Sequence, residues 1–86
     1  MPQISSFLGI IIRMFYRDHN PPHFHAVYVE HEGLIDINRI ELISGNLPPR
    51  VLGLVIEWTA LHQKELSENW ERAKKQEQLK SVEPLV

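Results

Sequence analysis

The 86-residue chain has no cysteine. That absence excludes disulfides, thiol nucleophiles and the cysteine-based zinc spacings, and it fits a reducing compartment. Long apolar runs are missing as well. The opening stretch MPQISSFLGIIIRMF has no basic segment, and its longest apolar run is about six residues. Neither a signal peptide nor a membrane span is expected, so the chain reads as cytoplasmic. Glycine is scarce and scattered at Gly9, Gly33, Gly45 and Gly53, which leaves no glycine-rich phosphate loop. No serine sits in a nucleophile-elbow pattern. There is no positive excess either. Nine Lys/Arg against eleven Asp/Glu give a net charge of −2 with histidines neutral, so no global electrostatic footprint draws nucleic acid to the chain. Internal repeats and low-complexity tracts are absent.

What remains fits a single domain over residues 1–86. A domain of this size buries only about 60–65% of its unfolded surface, and such chains often gain stability from a partner or from self-association. Composition changes near residue 46. β-branched and aromatic residues dominate before it and helix formers after it. The reading is a β-rich part over 1–46, a helical part over 47–76 and a frayed tail over 77–86. Phe7–Arg17 (FLGIIIRMFYR) predicts a strand that is apolar on both faces, which makes a homo-oligomer plausible. Asn20-Pro21-Pro22 ends it. Phe24–Glu30 predicts a second strand, His31-Glu32-Gly33 a turn, and Leu34–Ile37 with Ile40–Ile43 a hairpin across Asn38-Arg39.

Pro48 or Pro49 opens the helical part, where a missing N–H costs nothing. Val51, Leu54, Val55, Trp58 and Leu61 form a stripe at steps of three and four, and Leu66, Trp70 and Ala73 continue it. The step of five from Leu61 to Leu66 is bridged by His62. One long helix with His62 on its packed face is the first expectation. Two helices joined near Lys64 are the second. Trp58 and Trp70 read as core or interface anchors. The fold class is therefore α+β: an antiparallel sheet of three to four strands, followed by one long or two shorter helices packed on one face.

The densest chemistry lies in DHNPPHFH, where three of the chain's five histidines fall within seven residues. On a strand, His23 and His25 project to one side and Phe24 to the other. Asp18 and His19 stand across the Pro-Pro turn, with Arg13, Tyr16 and Arg17 just before them. Three readings stay open. Asp18, His19, His23 and His25 could ligate a divalent metal such as zinc. Alternatively, and with no cofactor, His23 and His25 could act as base and acid on an RNA phosphodiester while Arg13 or Arg17 steadies the phosphate. The third is structural: Asp18 or Asn20 caps a rigid turn, and the imidazoles hydrogen-bond to backbone.

The stretches MPQISSFLGIIIRMFYRDHNPPHFHAVY, GLIDI and GNLPPRVLGLVIEWTALHQKELSENWERA resemble a small prokaryotic family, the domain of unknown function numbered 4160. The resemblance covers roughly Met1 to Ala73. DHNPPHFH carries it most specifically, and the helical pattern from Glu57 to Trp70 comes second. Asn38-Arg39 departs from the Thr-Gly-type turn commoner in that family. The resemblance implies a neighbouring gene for a second small protein, from the family numbered 2442, in an arrangement like a two-gene toxin–antitoxin module. It implies no catalytic residues. The expected function is one component of such a module, a small ribonuclease using these histidines. The alternative is a non-enzymatic module that binds metal or regulates through protein contact.

Overall fold

The computed structural model describes residues 2–86. Five strands, β1 (Gln3–Phe7), β2 (Ile10–Arg13), β3 (His23–Tyr28), β4 (His31–Asp36) and β5 (Glu41–Gly45), precede two helices, α1 (Pro49–Leu61) and α2 (Gln63–Lys74). The sheet runs β1-β2-β3-β4-β5, and every neighbouring pair is antiparallel. The α+β class holds, but the sheet has more strands than the three or four expected. The difference arises at the N-terminus, where the apolar run is a hairpin and not one strand. Leu8 and Gly9 take positive φ, 51° and 79°, and fold Gln3–Phe7 back onto Ile10–Arg13.

Alternation decides which residues face the core. Ile10, Ile12 and Met14 are fully buried, as are Phe24 and Ala26 on β3 and Ile35 on β4. The turn expected at His31-Glu32-Gly33 lies earlier, at Val29-Glu30, so all three residues belong to β4. Gly33 is needed for packing and not for turning. A Cβ there would stand 2.8 Å from Leu42 Cδ1 and 3.0 Å from Leu47 Cγ. The next connection is longer than the predicted two-residue loop and spans Ile37 to Ile40. Asp36 organises it, its Oδ1 accepting from the Asn38 and Arg39 amides at 2.8 and 2.9 Å.

α1 begins after Pro48, with Pro49 in its first turn, and buries Val51, Val55, Trp58 and Thr59. The indole of Trp58 meets Phe7 at 5.5 Å and Phe24 edge-on at 5.6 Å between ring centres. Removing such a side chain costs about 3–5 kcal/mol. The single long helix gives way to two at His62, whose φ of −123° is not helical. The Gln63 side chain donates to the Ile37 and Asn38 carbonyls and ties the junction to the β4–β5 turn. α2 buries Leu66, Asn69, Trp70 and Ala73, so the apolar stripe survives the break. Trp58 and Trp70 lie within this chain's own core at 0% and 2% exposure.

Residues 77–86, expected to fray, form neither helix nor strand, yet they are held at several points. The Val82 amide donates to the Ile4 carbonyl at 2.8 Å, and the Val82 side chain is buried. Asn69 pairs with the Lys80 backbone in both directions, at 2.8 and 2.9 Å. Trp58 Nε1 donates to the Glu83 carbonyl at 2.8 Å. Buried polar groups need partners, and the tail supplies them for the Trp58 indole and the Asn69 amide. Among the described residues no helix is long and apolar enough to cross a membrane.

Candidate metal centre

The segment from Met14 to Pro22 leaves the end of β2 and returns to the start of β3. Its exit is pinned where the Ile37 amide donates to the Pro22 carbonyl at 3.0 Å. The loop carries Asp18 back over β3. There one carboxylate oxygen, Oδ2, meets two imidazoles: His23 Nε2 at 3.0 Å and His25 Nε2 at 3.3 Å. The rings stand 5.4 Å apart, as the i,i+2 spacing predicts.

The other nitrogen of each ring is also engaged. His23 Nδ1 lies 2.8 Å from the Pro21 carbonyl, and His25 Nδ1 lies 2.8 Å from Glu32 Oε2. A carbonyl and a carboxylate can only accept, so both Nδ1 atoms carry hydrogen. In their neutral tautomers both rings therefore present Nε2 lone pairs to a carboxylate oxygen, which is also an acceptor. With both rings neutral, three electron-rich atoms would converge with no hydrogen between them. Either extra protons or a cation must compensate.

Where protons compensate, the Asp18 carboxyl is not their place, because protonated imidazoles beside it favour its ionised form. Burial pushes its carboxyl up, but the His19 amide, the hydrogen bond from His25 and the charges of His23 and His25 outweigh it. They hold the group below the ordinary carboxylate range. The oxygen–nitrogen separations of 3.0 and 3.3 Å lie at and just below those of a tetrahedral site, so a modest spreading of the ligands admits an ion. Zinc bonds of about 2.0–2.1 Å at tetrahedral angles put ligand atoms roughly 3.3–3.4 Å apart. Asp18, His23 and His25 offer three ligand atoms within 4.8 Å of one another.

The surroundings fix the ligands. Trp70 backs His23 at 5.3 Å, and Phe15 meets His25 edge-on at 4.3 Å. The side chains of His23, His25 and Asp18 are 6%, 15% and 21% exposed, so the cluster is walled on the His23 side and open toward Asp18. Acceptors on the far nitrogen of each histidine are what metal-binding imidazoles usually have.

The expected residues separate into groups. Asp18, His23 and His25 come together. His19 contributes its backbone amide to Asp18 Oδ1 at 2.8 Å, and its ring is not part of the ligand group. Arg13 is the cross-strand partner of His25. Arg17 turns away at φ 58° and donates to the Gln76 side-chain oxygen at the end of α2. Glu32 was missed because the turn was expected on top of it. Pairing β3 with β4 around Val29-Glu30 sets Glu32 opposite Val27, one diagonal step from His25.

The family model described as a domain of unknown function, DUF4160, matches residues 9–71. That span holds every residue of the cluster and excludes β1 and the tail. No curated protein and no solved structure matches the chain.

Proposed function

From the premise that the chain belongs to the DUF4160 family, which carries no assigned activity, we propose that the domain is a binder of one zinc-class divalent cation, ligated by Asp18 Oδ2, His23 Nε2 and His25 Nε2. One observation carries the reading: two imidazoles, each with Nδ1 committed to an acceptor, aim their remaining ring nitrogens at one carboxylate oxygen. With both rings neutral these atoms repel one another, and a divalent ion between them removes that repulsion at once. Nitrogen and oxygen donors without sulfur suit zinc and its borderline neighbours. Three protein ligands leave at least one position for water or substrate, as in sites that act on a bound molecule rather than brace a fold.

The test is calorimetric titration of zinc into tag-free, chelator-stripped protein. Binding at one ion per chain is expected, with loss of that binding in Asp18→Ala and in the His23→Ala/His25→Ala double variant. Circular dichroism checks that each variant is folded. Equal zinc binding by a folded double variant would overturn the assignment.

Arg13 across from His25 favours a second reading, metal-free acid–base cleavage of an RNA phosphodiester by His23 and His25. Ribonuclease activity that persists in chelator and disappears in the double variant would select it. Either chemistry fits one half of a two-gene toxin–antitoxin-like module with a small protein partner. Growth arrest on induction of this chain alone, absent with the folded double variant, would support that setting.

A further inference from the structure

We propose that the metal-loaded site takes a phosphate group, one oxygen on the ion and another on the Arg13 guanidinium. This rests on the metal reading above and goes further, to the class of ligand.

Arg13 is the last residue of β2 and stands directly across from His25 on β3. Directly opposed residues have Cβ atoms about 4.5–5.5 Å apart, so the long arginine side chain spans the imidazole with length to spare. Arg13 is only half-exposed. Among the described residues its guanidinium takes part in no ion pair and no side-chain hydrogen bond. Arg17 differs, since Gln76 occupies its guanidinium. Of the two arginines flanking the loop, only Arg13 keeps its donors free beside the cluster.

Charge points the same way. The carboxylates of Asp18 and Glu32 are balanced by a divalent ion, and Arg13 then leaves the loaded site one positive charge in excess. Without the ion, and with both imidazoles neutral, the same residues are net negative and repel an anion. Phosphate binding is thus conditional on the metal. The open position of a three-ligand site admits one oxygen. The planar guanidinium can donate to another oxygen of the same tetrahedral anion.

The experiment uses the cobalt(II)-loaded chain, whose visible absorption reports the ligands on the ion, titrated with inorganic phosphate. The wild type should show one saturable spectral change. Arg13→Met should bind cobalt as the wild type does but bind phosphate about tenfold or more weakly, the scale of a lost charge-assisted hydrogen bond. Arg13→Lys should recover part of the loss, and Arg17→Met should match the wild type. A normal cobalt spectrum that phosphate leaves unchanged would overturn this inference and leave the metal site standing. So would equal phosphate affinity in Arg13→Met. Absence of any protein-bound cobalt spectrum would overturn both.

Discussion

Replacing Glu32 with alanine tests whether the cluster is tuned by its surroundings. The Glu32 carboxylate accepts from His25 Nδ1 at 2.8 Å and so holds the hydrogen on that nitrogen and the lone pair on Nε2. Without it the ring can exchange tautomers and rotate. The partners behind metal-binding histidines are worth about 10–100-fold in affinity. Glu32 is 52% exposed, so water competes for the same hydrogen and the lower end applies. Zinc affinity should therefore fall about tenfold in Glu32→Ala, near 1.4 kcal/mol. Glu32→Gln keeps an acceptor and should lose less. Glu30→Ala, in the adjoining turn, should match the wild type. Stability of the metal-free protein should change by about 0.5 kcal/mol or less, because the pair is exposed. Competitive titration against a chromophoric zinc chelator measures the affinities, and urea unfolding measures the stability. Unchanged zinc affinity in Glu32→Ala would refute the idea that this carboxylate positions His25.

Two further outcomes follow from the packing and the electrostatics. Asn69→Ala removes both hydrogen bonds to the Lys80 backbone. At about 0.5–1.5 kcal/mol each it should destabilise the protein by roughly 1–3 kcal/mol in urea unfolding, and raise protease sensitivity within residues 77–86. A variant as stable and as resistant as the wild type would mean the tail is not held there. Asp18 has a lowered carboxyl pKa in the fold, from the His19 amide and the two histidines acting against burial. Its ionised form therefore stabilises the metal-free protein above the unfolded value of about 3.9. That contribution is lost as pH falls through the lower folded value. The stability gap between wild type and Asp18→Asn in chelator should be full near pH 6 and shrink below about pH 4. A gap that is constant across that range would count against this electrostatic account.

The sequence made the α+β class legible, because β-branched alternation and 3–4 spacing are strong periodic signals. It also made the pairing of His23 with His25 legible, since i,i+2 on a strand leaves no freedom. Asp18 was within reach of the same argument. Turn positions were not legible. Leu8, Val29 and Ile40 all take left-handed φ, between 51° and 55°, which no local rule assigns to leucine or β-branched residues. Packing overrides propensity there. A turn at Gly33 would shift β4 against β3 and move Ile35 off the core face, a loss larger than the strain at Val29. The consequence reached the cluster, because the misplaced turn hid Glu32. The tail was hidden for another reason. Its partners are single polar atoms on Trp58 and Asn69, and these leave no periodic trace.

The arrangement of the cluster along the chain also bears on how the protein acquires its shape. Asp18, His23, His25 and Glu32 lie in one short stretch, and every strand pairs with its immediate neighbour in sequence. Contacts of low sequence separation form early because little loop entropy opposes them. The clasp between Ile4 and Val82 spans almost the whole chain and must close late. The ligands can therefore meet once the β2–β3–β4 segment pairs, before Trp58 covers Phe24. On the proposed metal reading, an ion captured at that moment would fix the register of β3 against the loop before it and act as a seed for the rest of the sheet. Zinc present during refolding should then raise the folding rate itself, beyond slowing the loss of the finished structure.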